Sequence, residues 1–182
     1  MIRCLITDGS FSRNQAGWLA HLAHWIADGI DLVQIRERDL EARDLAELTR
    51  SVLRIPNPHG TRILVNDRAD VAIACRAHGV HLRDGSVCAE KFARPGFLVT
   101  ISCHGIEDAQ NARGADFVLL APIFKPLSKM DDRPALGTAA ITEFTRRSPI
   151  PVLALGGIDY ENARRCVSAG AAGIAGITCF AR

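Results

Sequence analysis

Short apolar runs alternate with longer amphipathic stretches along nearly the whole chain, and this rhythm limits the fold more than any other feature. Strands are expected at residues 2–7, 30–35, 63–66, 79–82, 98–102, 117–121, 151–155 and 174–178. Helical spacing marks residues 15–27, 40–53, 69–76, 106–113, 138–146 and 160–169, and residues 88–93 offer one helical turn or little more. The first helix shows the pattern well, with Trp18, Leu19, Leu22, Trp25 and Ile26 on one face. Gly29 ends it, and the PNPHG stretch at residues 56–60 ends the second.

Eight strands and seven helices in strict alternation predict an α/β protein, a (β/α)8 TIM barrel forming a single domain over residues 1–182 and lacking its final C-terminal helix. A doubly wound open sheet would need a crevice at a strand-order switch, and no GxGxxG follows the first strand. With 182 residues the chain is short against about 250 for such barrels. The absent eighth helix explains part of that deficit. It also exposes one face of the last strand, although parallel strands are normally covered on both. A partner subunit, giving a homodimer, or the N-terminal segment is expected to cover it.

Composition narrows the function classes. Hydrophobic residues make up 48% of the chain, enough for a real core. Twenty-two basic and 20 acidic residues leave a net charge of +2, which gives nonspecific nucleic-acid binding little support. No apolar run approaches the roughly 18 residues of a membrane span. The six cysteines are widely spaced without a CxxC, and the opening MIRCLITDG reads as a strand instead of a signal peptide. Reduced, mostly buried cysteines and a cytoplasmic location are therefore expected.

Polar residues gather where strands hand over to helices, the position of the chemistry in barrels. In QIRER, Gln34 and Arg36 are two apart and point into the barrel mouth, while Ile35 faces the helices. Arg36 reads either as an anion ligand or as the structural partner of Glu37 or Asp67. In VNDRAD, Asn66 and Asp67 close the third strand, and Asp67 reads as a helix cap or as a magnesium ligand beside substrate phosphates. Asp70 falls in the next helix's first turn and reads as structural. His81, within the fourth strand, is equally a hydrogen-bonded barrel residue or a ligand group. ISCH places Ser102 and His104 just past the fifth strand, and His104 is the foremost residue for general acid/base work, with substrate binding or a surface cap as alternatives.

Two segments point to phosphate. The aperiodic stretch 122–137 is long for a compact barrel and holds Ser128 and Lys129, a hydroxyl and a compact cation. LALGGID puts Gly156 and Gly157 at the end of the seventh strand, and the eighth ends in Ile177 and Thr178. Loops after strands seven and eight commonly hold phosphate in barrels.

Together QIRER, LVNDRAD, GVHL, ISCH, GADFVLLAPIFKPLSK, PVLALGGID and AGAAGIAGI resemble, in order and over residues 2–178, the thiamine phosphate synthase and thiazole tautomerase superfamily. The resemblance implies a (β/α)8 barrel. Its synthase branch joins hydroxymethylpyrimidine diphosphate to a thiazole phosphate and releases diphosphate, whereas the tautomerase rearranges a thiazole carboxylate with no diphosphate. Carried onto this sequence, it implies pyrimidine-diphosphate contacts at Gln34, Arg36 and Asn66, with Arg38 where the synthase usually has lysine. It implies Mg²⁺ on Asp67, a pyrimidine contact at Ser102, and a diphosphate-binding lysine at Lys129. Gly157, Ile177 and Thr178 resemble the thiazole phosphate cradle.

Departures from the family pattern bear on the activity. GVHLRDGS replaces the usual GVHLGQxD, so Ser86 stands where a second magnesium aspartate is expected and Arg83 where a glycine is expected. Asp84 is two residues out of place for that ligand. Pro126 replaces the first threonine of the FxTxTK segment, while Ser128 keeps the second hydroxyl. The synthase reading asks Arg36, Lys129 and Mg²⁺ to stabilise the leaving diphosphate. The tautomerase reading asks His104 to move a proton at the thiazole without any metal. A third reading is a noncatalytic thiazole phosphate-binding protein.

Overall fold

The computed structural model describes residues 1–125 and 134–180. Its strands are β1 (Ile2–Ile6), β2 (Leu32–Ile35), β3 (Arg62–Asn66), β4 (Gly79–Leu82), β5 (Leu98–Cys103), β6 (Phe117–Leu120), β7 (Val152–Ala154) and β8 (Gly173–Gly176). They pair in parallel in chain order, and β8 returns to β1 to close the barrel. The expected TIM-like architecture is therefore present. Every described strand has two strand neighbours, so the open-sheet alternative is excluded.

Five α-helices are described: α1 (Gln15–Ala27), α2 (Ala42–Leu53), α3 (Ala69–Cys75), α4 (Gly137–Arg147) and α5 (Ala163–Ser168). The helix expected at residues 106–113 is instead a five-residue 3₁₀ segment, Ile106–Gln110. Gly105 and Gly114 bracket this connection, within which Asp108 N–H donates to the Gly105 carbonyl and Asp108 Oδ2 accepts from His104 N–H. The turn expected at residues 88–93 is likewise 3₁₀, Ala89–Lys91.

Alternation along the strands sorts the apolar side chains into two layers. Leu5, Val33, Ile35, Val65, Val80, Leu82, Ile101, Val118 and Ile174 pack outward beneath the helices. Cys4, Ile6, Leu32, Leu119, Leu153 and Ala175 fill the interior. Two glycines adjust the wall. A Cβ on Gly79 would strike the Leu98 backbone and Leu64, and one on Gly173 would strike the Ile2 backbone.

The exposed face expected on the last strand is filled by the chain itself. After β8 comes a 3₁₀ turn, Thr178–Phe180, and the fully buried Phe180 stacks edge-on against Trp25 of α1, with ring centroids 5.2 Å apart. The Trp25 Nε1–H donates to the Phe180 carbonyl at 3.0 Å. Ile174 is completely buried within the chain, in the apolar cluster that also holds Phe180 and Trp25. Cys4, Cys75, Cys103 and Cys166 are buried free thiols, while Cys88 and Cys179 are partly exposed and also free. Burial pushes the Cys4 and Cys103 thiols up to about 12, so they are protonated and inert. Among the described residues, no helix is long and apolar enough to cross a membrane.

Candidate active site

A cavity of about 280 Å³ opens at the end of the barrel where strands run into the following loops. It is lined by Gln34, Arg36, Arg38, Asn66, His81, Arg83, Ser102 and His104 on one side, and by Gly156, Gly157, Ile177 and Thr178 on the other. The structure thus brings together most residues that the sequence singled out. Ser128 and Lys129 lie outside the described residues, as does Pro126.

Strand register builds the polar side. Gln34, Asn66, His81 and Ser102 occupy inward positions near the ends of β2 to β5, with Asn66 paired directly to His81 in register. The Gln34 side-chain amide donates to Asn66 Oδ1 at 2.9 Å. Its Oε1 is buried with no hydrogen-bond partner among the described residues, a costly state for a polar atom. His81 resolves as a hydrogen-bonded barrel residue: Nδ1 meets Thr100 Oγ1 at 2.8 Å and Nε2 meets Ser102 Oγ at 3.0 Å. Burial, with Arg36 adding repulsion, pushes the imidazole down to about 3. The ring is therefore neutral at physiological pH.

Arg36 follows β2, and its backbone N–H donates to Thr7 Oγ1 at 2.8 Å. Both carboxylates that the sequence offered it as partners are engaged elsewhere. Glu37 is buried and accepts from Gly9 N–H, Phe11 N–H and Trp18 Nε1–H at 3.0–3.2 Å, fixing the loop after β1. Asp67 pairs with Arg83, Nε to Oδ2, at 3.1 Å. Arg36 is left lining the cavity, where burial and the neighbouring Arg38 lower its pKa from the ordinary arginine value while Glu37 pulls it back.

Asp67 stands in left-handed backbone (φ +57°), its N–H donating to the His81 carbonyl at 2.7 Å. Its side chain makes no cap bond to α3, whose N-terminal flank is Arg68, so the capping reading fails. The magnesium reading is also poorly served. The Asp67 carboxylate carries a guanidinium, and Asp84 lies 3.6 Å from His104 Nε2. Among the described residues, no group of three or more His, Cys, Asp or Glu side chains stands where it could hold a metal ion. Among the described residues the donor set, one carboxylate already paired with a guanidinium, does not fit a resident Mg²⁺. Asp70 is structural as expected, paired with Arg68 at 2.6 Å, and that partner holds its carboxyl down at about 2.

His104 lies at the cavity edge. Its Nδ1 sits 2.6 Å from the Ala121 carbonyl, so Nδ1 carries the proton and Nε2 is the basic nitrogen in the neutral ring. Opposite, Gly156 (φ +94°) and Gly157 (φ +61°) adopt left-handed backbone. A Cβ on Gly156 would lie 2.8 Å from Pro122 Cα, and one on Gly157 would lie 2.7 Å from the Lys125 carbonyl. The glycine pair is thus required by close approach of residues 122–125, whose Ile123 and Phe124 N–H groups donate to the carbonyls of Leu155 and Gly156. Ile177 and Thr178 lie past the end of β8 instead of within it.

Residues 3–180 match the family model described as thiamine monophosphate synthase. The chain belongs to that family. Over 167 residues it is 39% identical to a relative from Aquifex aeolicus, covering 90% of this chain and 89% of that one. It is 37% identical to the thiamine-phosphate synthase of Methanoculleus marisnigri, over 96% of this chain and 84% of the relative. Among solved structures, thiamine phosphate pyrophosphorylase from Pyrococcus furiosus superposes with a TM-score of 0.82 at 26% identity, covering 97% of this chain and 85% of that one.

Sequence reasoning missed two features of the site. It did not assign Glu37 to the loop after β1, although period two puts residue 37 on the opposite side of the wall from Arg36. It also did not pair Arg83 with Asp67, a contact set by β3 and β4 lying side by side and not by any local motif.

Proposed function

We propose that this protein is a transferase that joins hydroxymethylpyrimidine diphosphate to thiazole phosphate and releases diphosphate. The observation that carries the reading is one cavity with two chemically distinct sides: three arginines and a chain of amide and hydroxyl groups face a glycine-lined wall. Membership of the thiamine monophosphate synthase family supports it.

In this reading Gln34, Asn66 and Ser102 bind the pyrimidine, and the orphaned Gln34 Oε1 takes a donor from it. The methylene C–O bond breaks, its electron pair leaves with the diphosphate, and the thiazole nitrogen lone pair forms the new C–N bond. Negative charge grows on the departing oxygen, where Arg36 and Arg38 supply fixed positive charge. Lys129 and Ser128 add a cation and a hydroxyl from the segment beyond residue 125. Gly156, Gly157, Ile177 and Thr178 hold the thiazole phosphate. The family resemblance adds Mg²⁺ on Asp67, but the donor set does not favour it, and no step here depends on a metal.

One observation favours a second reading, a thiazole tautomerase. The Ala121 carbonyl fixes the His104 tautomer, which suits Nε2 to accept and return a proton. The test is an assay of the purified chain with both substrates, with and without chelator. Thiamine phosphate formation is expected; its absence in both conditions overturns the transferase. A metal-independent change in thiazole absorbance, abolished by His104→Gln, would identify the tautomerase. Retention of thiazole phosphate with no turnover would leave only a binding protein.

A further inference from the structure

We propose that Arg83 takes the place of a divalent cation at the diphosphate subsite, so that this protein grips a diphosphate with cationic side chains and no metal. The inference rests on the transferase reading for the identity of the ligand, and deepens it by naming what neutralises that ligand.

Charge at the cavity is the first argument. Among the described residues, its lining contains Arg36, Arg38 and Arg83, and no aspartate or glutamate. A diphosphate group carries two to three negative charges near neutrality, which three guanidinium groups match. A divalent cation would meet three like charges there.

The state of Asp67 is the second argument. Asp67 is the carboxylate that would hold a metal, yet it is ion-paired with Arg83, Nε to Oδ2, at 3.1 Å. For Asp67 to bind an ion, that contact has to break, and Arg83 remains beside the ion as a competing charge. Ser86 offers a neutral hydroxyl where a second carboxylate would otherwise offset this.

Geometry supplies the third. Arg83 directly follows Leu82, the last residue of β4, and Asp67 directly follows Asn66, the last residue of β3. The two strands are adjacent, so the pair sits at the rim beside the polar side of the cavity. The contact is through Nε, and Arg83 also lines the cavity. Arginine binds phosphate oxygens through paired N–H groups, a fit that lysine does not reproduce. The Arg83 side chain is 74% exposed, so its replacement does not disturb the core.

The test is calorimetric titration of the full chain with inorganic diphosphate, in buffer with chelator and in buffer with excess Mg²⁺. Binding without metal is expected, with affinity changing less than about threefold when Mg²⁺ is added. Arg83→Gln is expected to weaken the metal-free binding about tenfold or more, and Arg83→Lys to recover only part of it. Binding that appears only with Mg²⁺, an Arg83→Gln protein that binds like the parent, or no binding in either buffer overturns the proposal. The two readings fail separately. Thiamine phosphate formation that needs Mg²⁺ and is indifferent to Arg83→Gln removes this inference and leaves the transferase. Metal-free diphosphate binding with no product leaves this inference and removes the transferase.

Discussion

Two arcs of the same barrel are built on opposite principles. From β2 to β5 the interior is a hydrogen-bonded ladder, in which Gln34 reaches Asn66 and His81 bridges Thr100 and Ser102. From β6 round to β1 the interior is apolar, packed with Leu119, Leu153, Ala175, Cys4 and Ile6, and its mouth is shaped by glycines. The polar arc presents side chains to a ligand, whereas the glycine arc presents backbone. Substitutions on the first should therefore alter chemistry or charge, and substitutions on the second should alter shape.

The largest effect is expected on the polar arc. Arg36→Ala removes a partly buried cation from the cavity and should lower kcat/KM for thiamine phosphate formation about a thousandfold, with little change in Tm. Steady-state kinetics beside a thermal melt separates the two quantities. An equally large fall in Tm would mean that the guanidinium holds the arc together.

His81 comes next, through acid stability. Its folded pKa, about 3, lies below the unfolded value near 6.5. As pH falls through 6.5 the unfolded chain takes up a proton that the native ring refuses, so stability is lost between those two values and levels off below the lower one. Between pH 7.5 and 4.5 this group should cost roughly 3 kcal/mol of unfolding free energy. Urea titrations at both pH values should show His81→Gln losing less stability on acidification than the parent; equal losses would contradict a neutral buried ring.

On the glycine arc, Gly157→Ala forces a side chain into left-handed backbone and against the Lys125 carbonyl. About 2 kcal/mol of destabilisation is expected, with KM for thiazole phosphate rising about tenfold and KM for the pyrimidine unchanged. A rise in both constants would blur the division between arcs. The smallest effect should be that of Ser102→Ala, which removes one partner of His81. About 1 kcal/mol in a denaturation midpoint, with a severalfold rise in KM for the pyrimidine, would place Ser102 in the ladder and at the ligand.

The barrel was legible in the sequence because its signal is local. Period two and period 3.6 alternate, and the strand starts fall within two residues of expectation at Ile2–Ile6, Arg62–Asn66 and Phe117–Leu120. Parity turned Gln34 inward, whereas Asn66 and Ser102 were marked by their place at strand ends; Ser102, expected just past the fifth strand, lies within β5. Short connections were less legible: the apolar pattern of residues 106–113 does not distinguish a 3₁₀ segment from an α-helix. Partnerships across strands were the hardest to read. Nothing in VNDRAD or GVHLRDGS says that Arg83 meets Asp67, because that contact exists only once β3 and β4 lie side by side. Gly156 and Gly157 were found for phosphate, while the closeness of residues 122–125 is a separate, steric demand on the same positions.

The alternation at Arg36 and Glu37 carries a lesson for redesign. Consecutive residues serve different masters, one turned to the ligand and the next clasping the β1 loop through Gly9, Phe11 and Trp18. A library aimed at new leaving groups should therefore randomise positions 34, 36 and 38 and hold 37 constant, since diversity there would dissolve the scaffold before any new selectivity could be scored.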